Sequence, residues 1–151
     1  MSRIRIVVAD QAEAIFYDTP SLGTRPEEVA RISDPAAHLH DRDFESDRPG
    51  RSYESVGGAR HAIERENDPR HREAIRFAKR IARRLDDARR RDEYEELIVV
   101  AGPPFLGLVR AELSRPTRQR VVHEIRKDLV HSPVEALREH LPASAAEMRP
   151  A

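Results

Sequence analysis

Ten basic residues fall within the 22 positions from Arg70 to Arg91, against three acidic ones, so this short segment carries a charge of +7. Guanidinium groups at that density suit phosphate. Each presents a planar fork of N–H donors, and each phosphate neutralised releases counterions. The chain as a whole is neutral, because residues 1–69 sum to −5 and residues 92–151 to −2. Any attraction to a polyanion is therefore local. Arginine outnumbers lysine 25 to 2, which favours bidentate phosphate contacts and stacking on bases, although genome composition can produce the same bias. The alternative is a solvated helix whose charge the preceding acidic segment balances.

Other groups have the types but less of the spacing. Gly57 and Gly58 stand in the stretch ESVGGARH, ahead of Arg60 and His61, where paired glycines let a backbone approach a partner closely or serve as a hinge. His38 and His40, beside Asp41 and Asp43, come nearest to a metal-ligand pattern among the seven histidines. His61, His71, His123 and His131 fit no known ligand spacing, so surface or core-edge roles are expected and no metal site is. Asp10, Glu13, Asp18 and Asp128 could gather at strand ends as in metal-dependent nucleases. With 27 acidic residues in the chain, solvated charges are the simpler reading. The turn Gly102-Pro103-Pro104 opens a helix whose N-terminus could face an anion, but its two prolines remove two N–H donors, which favours a structural connector.

The elements that would position these groups follow from periodicity. Ile4 to Ala9 and Ala14 to Tyr17 read as strands of a hairpin around Asp10-Gln11-Ala12. Glu27 to Ile32 reads as a third strand or a helical turn. Periodicity fails from Asp34 to Asp68, apart from a short helix within Pro35–Asp41, and a loop of that length is functional or disordered. Asn67-Asp68-Pro69 starts a helix running to about Arg91, with Ala74, Ala78, Ile81, Leu85 and Ala88 as its buried stripe. Leu97 to Ala101 reads as a strand buried on both faces, followed by a helix from Phe105 to about Ser114. Val121 to Asp128 alternates as an edge or half-buried strand. Ser132-Pro133 caps a last helix to about Leu141. The order predicts an α/β fold with a mixed β-sheet: one domain over residues 1–142, a long loop at about 34–68, and a loose tail at 143–151.

At 151 residues the chain can bury a real core, and 38% hydrophobic with 36% charged residues is polar but short of disordered. The absence of cysteine removes disulfides, thiolate catalysis and thiolate metal sites. No apolar run approaches the ~20 residues that span a bilayer. A soluble, cytoplasmic protein without cofactor is expected.

The segments together resemble a bacterial family, the proteins required for attachment to host cells. The matching pieces are Val7-Val8-Ala9-Asp10 with Ala12-Glu13-Ala14, the stretch Ser46-Asp47-Arg48-Pro49-Gly50-Arg51-Ser52, and Arg60-His61-Ala62-Ile63-Glu64. Asp68-Pro69 leading to Phe77-Ala78, the run from Leu97 to Arg110, and Lys127-Asp128-Leu129 complete the match over nearly the whole chain. That family in turn is similar to the central domain of archaeal and eukaryotic class-one release factors, which implies a ribonuclease H-like topology.

In those factors a Gly-Gly-Gln loop before a long basic helix enters the peptidyl-transferase centre, and its glutamine helps place the attacking water. Here Gly57-Gly58 occupies the matching place and Ala59 the glutamine's. Alanine offers neither donor nor acceptor, so the resemblance implies binding without peptide release. The expected partner is the ribosome or another structured RNA, held by Gly57, Gly58, Arg60, His61, Arg72, Arg76, Lys79, Arg80, Arg83 and Arg84. A protein partner connected with attachment, with no RNA role, is the alternative. A metal-dependent hydrolase built on Asp10 is a further one.

Overall fold

The computed structural model describes residues 3–37 and 68–150. Strands β1 (Ile4–Ala9), β2 (Glu13–Thr19) and β3 (Glu27–Ser33) come first. Helix α1 (Pro69–Arg90), β4 (Glu96–Ala101), α2 (Pro103–Glu112), the short α3 (Arg115–Arg118), β5 (Val121–Ile125) and α4 (Val134–His140) follow. The strands make one sheet in the order β3-β2-β1-β4-β5. β1, β4 and β5 are parallel, and β2 pairs antiparallel with both β1 and β3. The predicted mixed α/β sheet is thus observed.

β1 is buried at every position and β4 nearly so, because both faces of the sheet are covered. On one face Val7, Phe16, Leu97 and Val99 pack with Phe77, Ile81 and Leu85 of α1 and Phe105 and Val109 of α2. On the other, Ile6, Val8, Ile15, Ile98 and Val100 pack with Val130 and with Leu137 of α4. The hairpin turn is held by Asp10, whose Oδ1 accepts from the backbone N–H of Ala12 and of Glu13, each at 2.8 Å.

Helix α1 begins as the sequence predicts. The Asp68 side chain caps it, accepting from Arg70 N at 3.0 Å, and Pro69 takes the first helical position. Its end is less legible. Asp92 adopts a left-handed conformation (φ 60°), Asp92 N donates to Arg89 O and Glu93 N to Ala88 O. This is the doubled closure usually given to glycine, made here by an aspartate. It turns the chain so that buried Tyr94 can donate its hydroxyl back to Leu85 O at 2.8 Å.

Several boundaries differ from expectation for identifiable reasons. Residues 27–33 form a strand rather than a helical turn, since pairing with β2 outweighs an undecided local pattern. Helix α2 starts at Pro103 itself. β5 stops at Ile125, leaving Lys127 and Asp128 outside it. Its alternation is also broken: Leu97 pairs with Val121 but Ile98 with His123, so Val122 is an extra residue. Val121 and Ile125 consequently serve opposite faces of the sheet. The residue capping α4 is Pro133, without a side-chain cap bond, so Ser132 does not have the role expected of it. Residues 35–37 are helical, and the rest of the Pro35–Asp41 expectation falls outside the described residues. Beyond α4, Glu124 N donates to Arg149 O at 3.0 Å and Arg149 N to His123 Nδ1 at 2.7 Å, which lays residue 149 along β5.

Candidate functional site

The buried stripe of α1 fixes where its arginines point. With Ala74, Phe77, Ile81, Leu85 and Ala88 against the sheet, residues at i, i+4, i+7 and i+11 from Arg72 share the opposite side. Those residues are Arg72, Arg76, Lys79 and Arg83, all exposed. Arg76 is bridged to Glu73 at 2.8 Å, yet its side chain remains 67% exposed. Lys79 and Arg83 have no ion pair among the described residues, and at this exposure their charges face solvent.

Arg80 and Arg84 are turned differently, toward β3. Arg80 donates to Ser33 O at 3.1 Å and sits 5.4 Å from the centre of the Phe77 ring. Arg84 lies 5.5 Å from the centre of the Phe16 ring. The six predicted helical residues therefore split into an outward row and a pair beside the sheet. Gly57, Gly58, Arg60 and His61, with Ala59, lie outside the described residues.

The C-terminal half of α1 is tied down by its own carboxylates. Asp86 Oδ1 accepts from Ser114 Oγ at 2.5 Å, Thr117 Oγ1 at 2.6 Å and Arg89 Nη2 at 3.2 Å. The two hydroxyls, Ser114 first, hold the Asp86 carboxyl down to about 2, well below its usual value. Asp86 and Asp87 also reach Arg90, at 3.2 and 3.7 Å. The acidic residues of α1 thus neutralise its last turn more than its middle.

Strand ends supply a second concavity. Asp10, Asp68, His71, Asp128 and His131 line a cleft of about 700 Å³ beyond the C-terminal ends of β1 and β4. His131 Nε2 lies 3.7 Å from Asp10 Oδ2. A Cβ added at Gly102 would meet Asp128 Cβ at 3.9 Å, so the turn after β4 packs close to that residue. The four carboxylates considered for metal chemistry do not gather here. Asp10 and Asp128 share the cleft, Glu13 is paired with Arg31 at 2.8 Å, and Asp18 lies at the other end of the hairpin on Arg5 at 2.5 Å. Among the described residues there is no group of three or more His, Cys, Asp or Glu placed to hold a metal ion. Nor is any helix among them long and apolar enough to cross a membrane.

Sequence reasoning missed two buried charges. Arg5, 5% exposed, grips Asp18 through two nitrogens and reaches Glu93 at 3.3 Å, while lying 5.5 Å from the centre of the Tyr94 ring. A charged residue between Ile4 and Ile6 was the available signal. Asp34, 4% exposed just after β3, has an Oδ2 with no hydrogen-bond partner among the described residues. Burial first, and then the facing Glu73 carboxyl, raise its pKa above the usual carboxylate range.

The native state therefore holds that proton longer than the unfolded chain does. The site's stabilising contribution is present at low pH and is lost as pH rises through the raised pKa. Asp34→Asn keeps the acceptor for Ala36 N and gives Glu73 a donor. It is expected to raise stability at pH 7 by about 1 kcal/mol, the low end of the cost of an unsatisfied buried polar atom. The gain should vanish toward pH 4 in urea titrations of both proteins.

Two comparisons bear on what this architecture belongs to. An uncharacterized protein of Rickettsia prowazekii (strain Madrid E) is 39% identical over 70 residues, which is 46% of this chain and 46% of that protein. The alignment thus spans about half the length of that relative. A family model described as "Protein required for attachment to host cells" matches residues 5–141, from Arg5 in β1 through Leu141 after α4. That match takes in β1 from its second residue and every other strand and helix described above, and the chain belongs to the family of proteins required for attachment to host cells.

Proposed function

We propose that the protein is a non-catalytic binding module that docks on the ribosome or another structured RNA in the cytoplasm, with the outward face of α1 as its phosphate-binding surface. The carrying observation is the row Arg72, Arg76, Lys79 and Arg83, exposed along one side of a helix whose Asp86 and Asp87 are engaged in its last turn, with Glu73 meeting the row only at Arg76. Four cations spaced over three turns match a phosphate backbone better than a compact anion. The reading also takes up the resemblance of the sequence to the release-factor central domain, and in this chain α1 is carried by a mixed sheet in which β2 alone runs against its neighbours. Paired glycines at Gly57-Gly58 would let the preceding segment approach RNA, and Ala59 removes the group that peptide release would need.

Sedimentation of bacterial lysate through a sucrose gradient tests this reading. The tagged protein should travel with ribosomal particles at low salt and stay at the top at high salt. The triple variant Arg76→Glu, Lys79→Glu, Arg83→Glu should stay at the top throughout. A wild-type protein that never leaves the top fraction defeats the reading.

The attachment named in the family's description is the ground for a second reading, a protein-interaction factor with no RNA role. It predicts association that is insensitive to salt and purified material with no excess absorbance at 260 nm.

A further inference from the structure

Between α1 and the edge strand β3 lies an open groove of about 800 Å³, within the range of roughly 300–1,000 Å³ that small-molecule sites occupy. We propose that this groove binds a nucleoside phosphate unit: phosphate on its arginine wall, base on its apolar floor.

The wall is Arg80 and Arg84, with Arg83 of the outward row only at its edge. None has an ion pair among the described residues; Arg80 spends one N–H on Ser33 O, and Arg84 rests its face on Phe16. Stacking on rings holds two of these guanidiniums by their faces and leaves N–H groups at their edges to donate. Two of the three carboxylates lining the groove do not cancel this wall, because buried Arg5 already holds Asp18 and Glu93. Asp87 is more exposed and meets Arg90 only at 3.7 Å.

The floor is Val29, Ala30 and Ile32. Val29 is 46% exposed, the one exposed large hydrophobic among the described residues. It is also the extra residue of a bulge, since Tyr17 pairs with Glu28 and Phe16 with Ala30. A bulge with Glu27 and Glu28 beside it blunts an edge strand against pairing with another chain. That argues against an added peptide strand and leaves the apolar patch for a flat body lying across it. A purine or pyrimidine beside a guanidinium, with its phosphate on neighbouring arginines, meets both halves of the groove.

Two sources could supply such a unit: a free nucleotide, or one unstacked from an RNA. The groove does not depend on the outward face of α1 being an RNA contact. The test uses 2-aminopurine fluorescence, as the riboside 5′-monophosphate and as a single-nucleotide bulge in an RNA duplex, with anisotropy on the perfect duplex alongside. Saturable binding of the free monophosphate assigns a free nucleotide. A roughly tenfold preference for bulged over perfect duplex assigns an RNA-borne one. Either signal must fall about tenfold in Arg84→Ala and in Val29→Glu, the latter placing a carboxylate on an exposed floor residue where the fold is not at risk. If the monophosphate does not bind and bulged and perfect duplex bind alike, the groove proposal is overturned. Tight binding of the perfect duplex in that case leaves the outward face of α1 standing. Signals that survive both variants also overturn the groove.

Discussion

Reversing charge at Arg76, Lys79 and Arg83 together is expected to lower affinity for a structured RNA by several hundredfold at 0.1 M salt, with little change in the unfolding midpoint. The estimate follows from counterion release. A phosphate neutralised by one cation contributes about 0.9 to the slope of log affinity against log salt, so three are worth about 2.7 decades between 0.1 M and 1 M. The slope itself should fall by about three, and that distinguishes lost phosphate contacts from a general loss of structure. Stability should hold because Lys79 and Arg83 have no ion pair among the described residues. Arg76 meets Glu73 at 67% exposure, where such a pair contributes little. A comparable reversal at Arg89 would not be a fair test, since Arg89 donates to Thr117 Oγ1 and Asp86 and is largely buried. If the triple variant keeps the wild-type affinity and slope, the outward face of α1 is a solvated surface.

Which parts of the fold could be read in advance follows from where the ordering forces lie. α1 was legible because cap, proline and stripe all sit within its own residues, Asp68 to Ala88. β4 was legible because burial on both faces removes alternation and leaves an unbroken apolar run. β3 was not, because its apolar positions Val29, Ala30 and Ile32 are split by a bulge that only its pairing with β2 defines. The extra Val122 in β5 is the same case: parity of the sequence predicts one face for Val121 and Ile125, and the register shift against β4 gives two.

The candidate site was legible in composition and not in direction. Counting arginines located α1, but only the packed stripe separates Arg72, Arg76, Lys79 and Arg83 from Arg80 and Arg84. Phe16, which seats Arg84, is 68 positions away and has no local mark as its partner. Likewise Asp18 looked like one of several free carboxylates until the hairpin register placed it opposite Arg5. Long-range pairings of this kind depend on topology, and local patterns carry little of that information.

Asp86→Asn is expected to cost about 2 kcal/mol of stability at pH 7 and only a small fraction of that at pH 2. The carboxyl's pKa is lowered from 3.8 to about 2 by the donors that surround it, and a gap of that size corresponds to about 2 kcal/mol held by the charged form. Only 17% of the side chain is exposed, so solvent screening takes little from that figure. Its folded pKa lies below the unfolded one, so the contribution is fully present above pH 4 and is lost as pH falls through about 2. The amide is nearly the same size and still accepts a hydrogen bond. What it removes is the charge that Arg89 and the Ser114 and Thr117 hydroxyls all address, with Thr117 fully buried beneath them.

Asp87→Asn is the matched control, because Asp87 is 45% exposed and meets Arg90 at only 3.7 Å, an arrangement worth at most about 0.5 kcal/mol. For a chain of this length a 2 kcal/mol loss lowers the unfolding midpoint by roughly 4–8 °C. Urea titrations at pH 7, 4 and 2 on the three proteins therefore decide the matter. A deficit in Asp86→Asn that persists unchanged at pH 2 would mean that shape rather than charge ties α1 to α3. A deficit that closes between pH 4 and 2 would place a single carboxylate at the joint between the arginine helix and the segment leading into β5, so the row of cations is oriented by an anion.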